Sequence, residues 1–102
     1  MYRQKKIRSL DMSYAAQQVI FITCQRYAYQ SQRIREKIRR LCAEASCGDP
    51  ADFAALFAVL TEQRSVRRIA IEHYVSETKL YDMRRRFYMA WAAEKHKNPK
   101  KK

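Results

Sequence analysis

The chain has few of the residues from which tight turns are built. It contains one glycine and two prolines among 102 residues, whereas a β protein needs such residues at most of its strand reversals. With 47% apolar and 12% aromatic residues, it has the material for one core and should fold as one small domain. The scarcity of turn residues therefore predicts an all-α fold.

Acidic residues are also scarce. Ten Asp and Glu stand against 22 Lys and Arg, which gives a formal net charge of +12. A field of this sign attracts polyanions, and nucleic acid is the commonest such partner. A basic protein that meets an acidic protein or a lipid surface has the same composition, so this alternative stays open.

Motifs of catalysis, metal binding and secretion are missing. No glycine-rich phosphate loop or paired-carboxylate pattern occurs, which predicts neither an enzyme nor a bound cofactor. The three cysteines lack CxxC spacing and predict reduced thiols in a cytoplasmic protein. The apolar run at 19–22 is too short for a signal peptide or a membrane span. Cys42, Cys47, His73 and His96 form a conceivable ligand set, but no metal site is predicted because their spacing is not that of one.

Residues 13–47 contain no glycine or proline and carry apolar residues at heptad-like spacing. This pattern predicts a long helix of roughly 50 Å, whereas a compact domain of this size has a radius of gyration of about 13 Å. Either the helix breaks near residue 31 and folds back, or its projecting part packs against a second copy. We favour the second interpretation and assign a homodimer interface to Ile20, Cys24, Tyr27, Ile34, Ile38 and Leu41.

The clearest boundary lies at 46–50. Gly48 suits the end of a helix, Asp49 an N-cap and Pro50 the first helical position. Helices are predicted at 50–63, at 65–74 behind Ser65, and at 76–95 behind Ser76, which makes 49–95 a three-helix unit. Residues 1–12 are predicted to be a flexible basic arm and residues 96–102 a basic tail. Phe87 and Trp91 are expected to pack against the amino-terminal helix.

The segment 65–91 contains a recognisable order of residues. It reads SVRRIA at 65–70, VSE at 75–77, LY at 80–81 and RRR at 84–86. In this order it resembles the helix-turn-helix of insertion-element transposases and of homeodomain-like bacterial or phage regulators. The resemblance gives Ala70 the role of the small residue between the helices, and Ile69, Val75 and Leu80 that of a miniature core. Tyr74 stands where such units usually have glycine, so a strained or different turn is expected.

The resemblance implies sequence-specific binding of double-stranded DNA by a small dimeric transcription regulator, with the last helix in the major groove. It implies a guanine contact for Arg85, cytosine contacts for Glu77 or Asp82, and a thymine-methyl contact for Thr78. The full set facing the bases is Ser76, Glu77, Thr78, Tyr81, Asp82 and Arg85. The set assigned to phosphates is Arg64, Arg67, Arg68, Lys79, Arg84 and Arg86.

Two other functions fit the same sequence. A basic helical protein binding RNA would use the same charges with little preference for DNA sequence. A small phage interaction or inhibitor module would direct its basic face at an acidic protein partner. For the DNA-binding interpretation the expected location is the cytoplasm, in association with the nucleoid.

Overall fold

The computed structural model describes residues 12–97, with side chains described as far as Glu94. The helices are α1 (Tyr14–Gln25), α2 (Gln32–Ala45), α3 (Pro50–Thr61), α4 (Val66–His73) and α5 (Glu77–Lys97), and a short 3-10 helix, Tyr27–Tyr29, lies between α1 and α2. No strand occurs in this part of the chain, so the predicted all-α class is confirmed. No helix within the described range is long and apolar enough to cross a membrane.

Each of the five helices begins behind a serine or aspartate cap. The capping oxygen accepts a backbone N–H from the first turn, which satisfies a donor that has no partner inside the helix. Such a cap stabilises a helix by about 1 kcal/mol. Three of the caps follow the sequence prediction, and all five have O···N distances between 2.9 and 3.3 Å: Ser13, Ser31, Asp49, Ser65 and Ser76.

The amino-terminal segment 13–47 is broken into α1 and α2, and of the two alternatives that the sequence left open, the break near residue 31 is the one observed. Ser31 has an extended conformation (ψ 160°) and caps α2. The ring of Tyr27 packs edge-on against Phe57 of α3, with ring centroids 5.0 Å apart. The Gln30 side-chain amide donates to the Thr23 carbonyl at 3.0 Å. These contacts let the chain fold back, as in the alternative that placed a break near residue 31.

This break places the apolar seam inside the monomer. Ile20, Cys24, Ile38 and Leu41 are all at most 4% exposed. Their assignment to a homodimer interface is therefore corrected to an intramolecular core, in which Tyr27 and Ile34 are partly buried. The rest of this core comes mainly from the carboxy-terminal helices and includes Leu56, Leu60, Val66, Ile69, Leu80, Met83, Phe87 and Tyr88.

Helix α5 is joined to α2 along its second half. Arg40 donates to both carboxylate oxygens of Glu94 at 2.7 and 2.9 Å, and this pairing raises the pKa of Arg40. The Lys37 ammonium lies 4.0 Å from the centroid of the Trp91 ring, a cation–π contact. Arg86 donates to the Ala45 carbonyl at the end of α2. The expected packing of Trp91 against the amino-terminal half is thus confirmed.

The cysteines should differ sharply in reactivity. Burial raises the pKa of both Cys24 and Cys42 to about 12, whereas Cys47 is exposed. Since the thiolate is the reactive form, both buried thiols stay protonated at pH 8. We expect a disulfide reagent to titrate one thiol quickly in the native protein and three in denaturant. Rapid reaction of all three thiols under native conditions would contradict the burial of Cys24 and Cys42 in the core.

Candidate nucleic-acid interface

Helices α4 and α5 are joined by three residues and both contact α3. Helix α4 packs on the core through the buried side chains of Val66, Ile69 and Ala70. Helix α5 does so through Leu80 and Met83. The buried residues repeat at helical spacing, so each helix must turn its opposite face outward. The short connection therefore presents the end of α4 and the beginning of α5 on one surface.

The turn between the two helices is held by the backbone. The Val75 amide donates to the Ala70 carbonyl at 3.1 Å, a bond that closes the end of α4. This geometry requires the intervening residue Tyr74 to be left-handed, and it has φ 56° and ψ 40°. For a non-glycine residue that conformation costs about 1–2 kcal/mol, and the side chain is 96% exposed. The strain expected from the sequence is present, and burial of the ring does not offset it.

Tyr74→Gly should therefore stabilise the fold. Relief of the left-handed strain outweighs the extra freedom that glycine has in the unfolded chain, with a net gain of about 0.5–1 kcal/mol. Tyr29→Gly is a matched control, because Tyr29 is also exposed but has no positive φ; it should lose stability. Urea unfolding measures both variants, and a change of the same sign in both would contradict the strain at the turn.

The residues assigned to base contact lie together at the start of α5. Glu77, Thr78, Tyr81 and Asp82 are exposed, and Arg85 is half-buried. Thr78, Tyr81 and Arg85 follow each other at spacings of three and four and so share one helical face. The remaining member of the set, Ser76, is the exposed N-cap whose hydroxyl accepts from the Lys79 amide at 3.0 Å.

Arg84 does not belong to the surface, so its assignment as a phosphate contact is corrected. It is 6% exposed and lies in line with Leu80 and Tyr88, four residues away on either side, both fully buried. Its guanidinium carbon is 5.2 Å from the centroid of the Tyr81 ring. The side chain therefore stacks on a residue of the outward face and is not exposed to a polyanion.

Three other residues of the phosphate set are engaged within the chain. Arg64 pairs with Glu62 and Glu72, which raises the pKa of Arg64. The Lys79 ammonium lies 2.7 Å from a carboxylate oxygen of Asp52, and this hydrogen bond raises the pKa of Lys79. Arg86 caps α2, as described above. A polyanion that used these cations would compete with their existing partners.

Arg67 and Arg68 remain exposed in the first turn of α4. They border a shallow groove of about 380 Å³ that also touches Ser65, Ile71 and Glu72. Ile71 is 67% exposed, which the sequence prediction missed. The sequence does indicate this exposure, because Ile71 does not lie on the helical face that Val66, Ile69 and Ala70 share.

The basic surface of α2 is a weaker candidate for binding a polyanion. Of its five cations, Arg35 donates to the Gln30 carbonyl, Arg39 to the Tyr27 hydroxyl and Arg40 to Glu94. Lys37 stacks on Trp91, as described above. Most of the charge of α2 is therefore engaged in holding the fold together.

The predicted basic arm and tail fall almost entirely outside the described residues. Within the part of the chain that is described, no group of three or more His, Cys, Asp or Glu side chains is arranged to hold a metal ion. Comparison of the chain with protein-family models, curated proteins and solved structures finds no match.

Proposed function

We propose that this chain binds double-stranded DNA in a sequence-specific manner, with α3, α4 and α5 acting as a helix-turn-helix unit. The observation that carries the proposal is the outward face of α5 beside a three-residue turn, on which Thr78, Tyr81 and Asp82 are exposed and Arg85 is half-buried. An α-helix fits the major groove, and this face has the donors, acceptors and apolar groups that distinguish base pairs there. The net charge of +12 supplies long-range attraction.

Each side chain of the face has a chemical role in this proposal. Arg85 donates two hydrogen bonds to the O6 and N7 atoms of guanine. Asp82 or Glu77 accepts from a cytosine amino group, and Thr78 contacts a thymine methyl. The ring of Tyr81 contacts the buried guanidinium of Arg84, 5.2 Å from the ring centroid, and stays exposed enough to contact a base edge.

The phosphate contacts of the proposal come first from Arg67 and Arg68 at the start of α4. Each phosphate neutralised releases counterions, so the logarithm of affinity should fall with the logarithm of salt with a slope of about −0.9 per contact. Arg64, Lys79 and Arg86 contribute only if they exchange their partners within the chain for phosphate. The biological role that fits is transcription regulation in a bacterium, phage or mobile element, at the nucleoid in the cytoplasm.

A homodimer is part of the proposal, with its interface moved to α1. This helix has no charged residue, so two copies with a net charge of +12 each approach there with the least repulsion. Val19 and Ile22 are 63% and 53% exposed on α1. Paired chains would read two half-sites about 34 Å apart, one turn of the double helix.

The dimer is tested by light scattering during gel filtration. The wild-type protein should have twice the chain mass of 12.2 kDa, and Ile22→Lys should reduce it to the monomer because a buried charge opposes pairing. Ile71→Lys makes the same change on the exposed face of α4 and should leave the mass unchanged. A monomeric wild-type protein at every concentration would refute pairing.

DNA binding itself is tested by selecting a sequence from a random duplex library and measuring fluorescence anisotropy. We expect tighter binding to the selected duplex than to random duplex DNA, duplex RNA or single strands. Equal binding to RNA would favour the RNA-binding function. Absence of binding to every nucleic acid at roughly 150 mM salt would refute the proposal and favour an acidic protein partner.

A further inference from the structure

The turn carries an aromatic ring that the fold itself does not use. Position 74 needs the left-handed backbone that ends α4, and glycine adopts that conformation without strain. The chain has tyrosine there, with 96% of the side chain exposed. Strained residues of this kind cluster at ligand contacts and other functional sites, where the function requires them. Because the ring buries almost nothing in the folded chain, that requirement points to a ligand.

The neighbours of the ring on α4 define the chemistry of this ligand. Arg67 and Ile71 are four residues apart and so share one face of α4, and Tyr74 ends that helix in the left-handed conformation. All three are exposed, Ile71 to 67%. The surface of α4 therefore carries an exposed cation and an exposed aliphatic side chain, and the turn that follows carries an exposed aromatic ring. A nucleotide offers a partner to two of these groups, because its phosphate pairs with a cation and its base stacks on an aromatic ring.

We propose that Tyr74 stacks on an unpaired nucleobase, so that the ligand is duplex DNA with an extrahelical or unstacked nucleotide beside the site bound by α5. The inference rests on the proposed function and narrows its substrate class. In an intact duplex both faces of each base are covered by neighbouring pairs, and a tyrosine ring reaches only sugars and edges. An unpaired base exposes a π-face, and aromatic stacking on such a base gives large, sequence-tolerant affinity.

The test compares three forms of the selected duplex in fluorescence anisotropy. The first is fully paired, the second carries one unpaired adenosine at positions tiled across the site, and the third carries an abasic nucleotide at the same positions. We expect one adenosine bulge to bind about tenfold more tightly than the paired duplex, as one stacked base predicts. The abasic duplex has the same flexibility without the base, so it should lose this gain.

Variants of Tyr74 test whether its aromatic ring causes the tighter binding of the bulged duplex. Tyr74→Ala should abolish the tenfold preference, while Tyr74→Phe should retain it because stacking needs no hydroxyl group. Ala keeps the left-handed strain of a Cβ atom, so folding is little changed, and thermal unfolding checks this. Tyr29→Ala removes another exposed tyrosine, which lies between α1 and α2, and should leave the preference intact.

The outcomes separate the inference from the proposed function. If the protein selects a paired duplex but gains nothing from any bulge, the inference fails and DNA binding stands. A gain that persists in Tyr74→Ala, or that the abasic duplex reproduces, also overturns the inference, because deformability of the duplex then explains it. If no duplex binds at all, the proposed function fails and the inference fails with it.

Discussion

Ile38→Ala should remove about 2–5 kcal/mol of folding free energy. Ile38 is fully buried at the centre of α2, so truncation loses the transfer energy of its methyl and methylene groups and leaves a cavity. Small domains have only about 5–15 kcal/mol of stability in total. The variant should therefore unfold at a clearly lower urea concentration with an unchanged dependence on denaturant.

Ile71→Ala is the matched control for this truncation. It removes the same atoms from a helix position that is 67% exposed, where alanine also has the higher helix propensity. We expect a change within about 0.5 kcal/mol of zero. If Ile38→Ala left the stability unchanged and instead dissociated a dimer, the burial of Ile38 inside the single chain would be contradicted. That result is what the original interface assignment of Ile38 predicts.

The features of the fold that local rules decide were predictable from the sequence. A serine or aspartate cap acts within its own first turn, so Asp49, Ser65 and Ser76 could be identified without knowing what lies nearby. The break before α2 is different. Its cap, Ser31, falls within an apolar seam that contains no glycine or proline, and the break is held by contacts such as Tyr27 against Phe57 of α3. Such contacts exist only after the chain has folded.

On the outward face of α5, too, some features follow from the local sequence and others depend on tertiary contacts. Helical spacing with Leu80, Met83 and Phe87 buried was enough to place Thr78 and Tyr81 outside. The error at Arg84 arose because burial of Tyr88 widens the apolar stripe, and a charged residue four positions earlier then falls inside it. Tertiary packing also decided which exposed cations were already engaged, as with Lys79 and Asp52. A pattern read along one helix contains no information about these partners.

Arg85→Ala should lower the preference for the selected DNA sequence by about 1–3 kcal/mol, the value of one bidentate contact with guanine. On the selected duplex this corresponds to a loss of affinity of about five- to 150-fold. On random duplex DNA the loss should be much smaller, because only the general attraction of one positive charge is removed. Anisotropy titrations on both duplexes give the ratio directly.

Two control variants, Arg67→Ala and Arg33→Ala, distinguish recognition of the bases by Arg85 from a general effect of positive charge. Arg67→Ala should weaken binding to both duplexes alike and reduce the salt dependence by about one ion, as expected for a phosphate contact. Arg33→Ala removes an exposed arginine from α2 and should do little on either duplex. If Arg85→Ala and Arg33→Ala changed both duplexes equally, the affinity of the chain would come from net charge alone. Groove reading by α5 requires that, of these three arginines, only Arg85 changes the ratio of affinities for the selected and the random sequence.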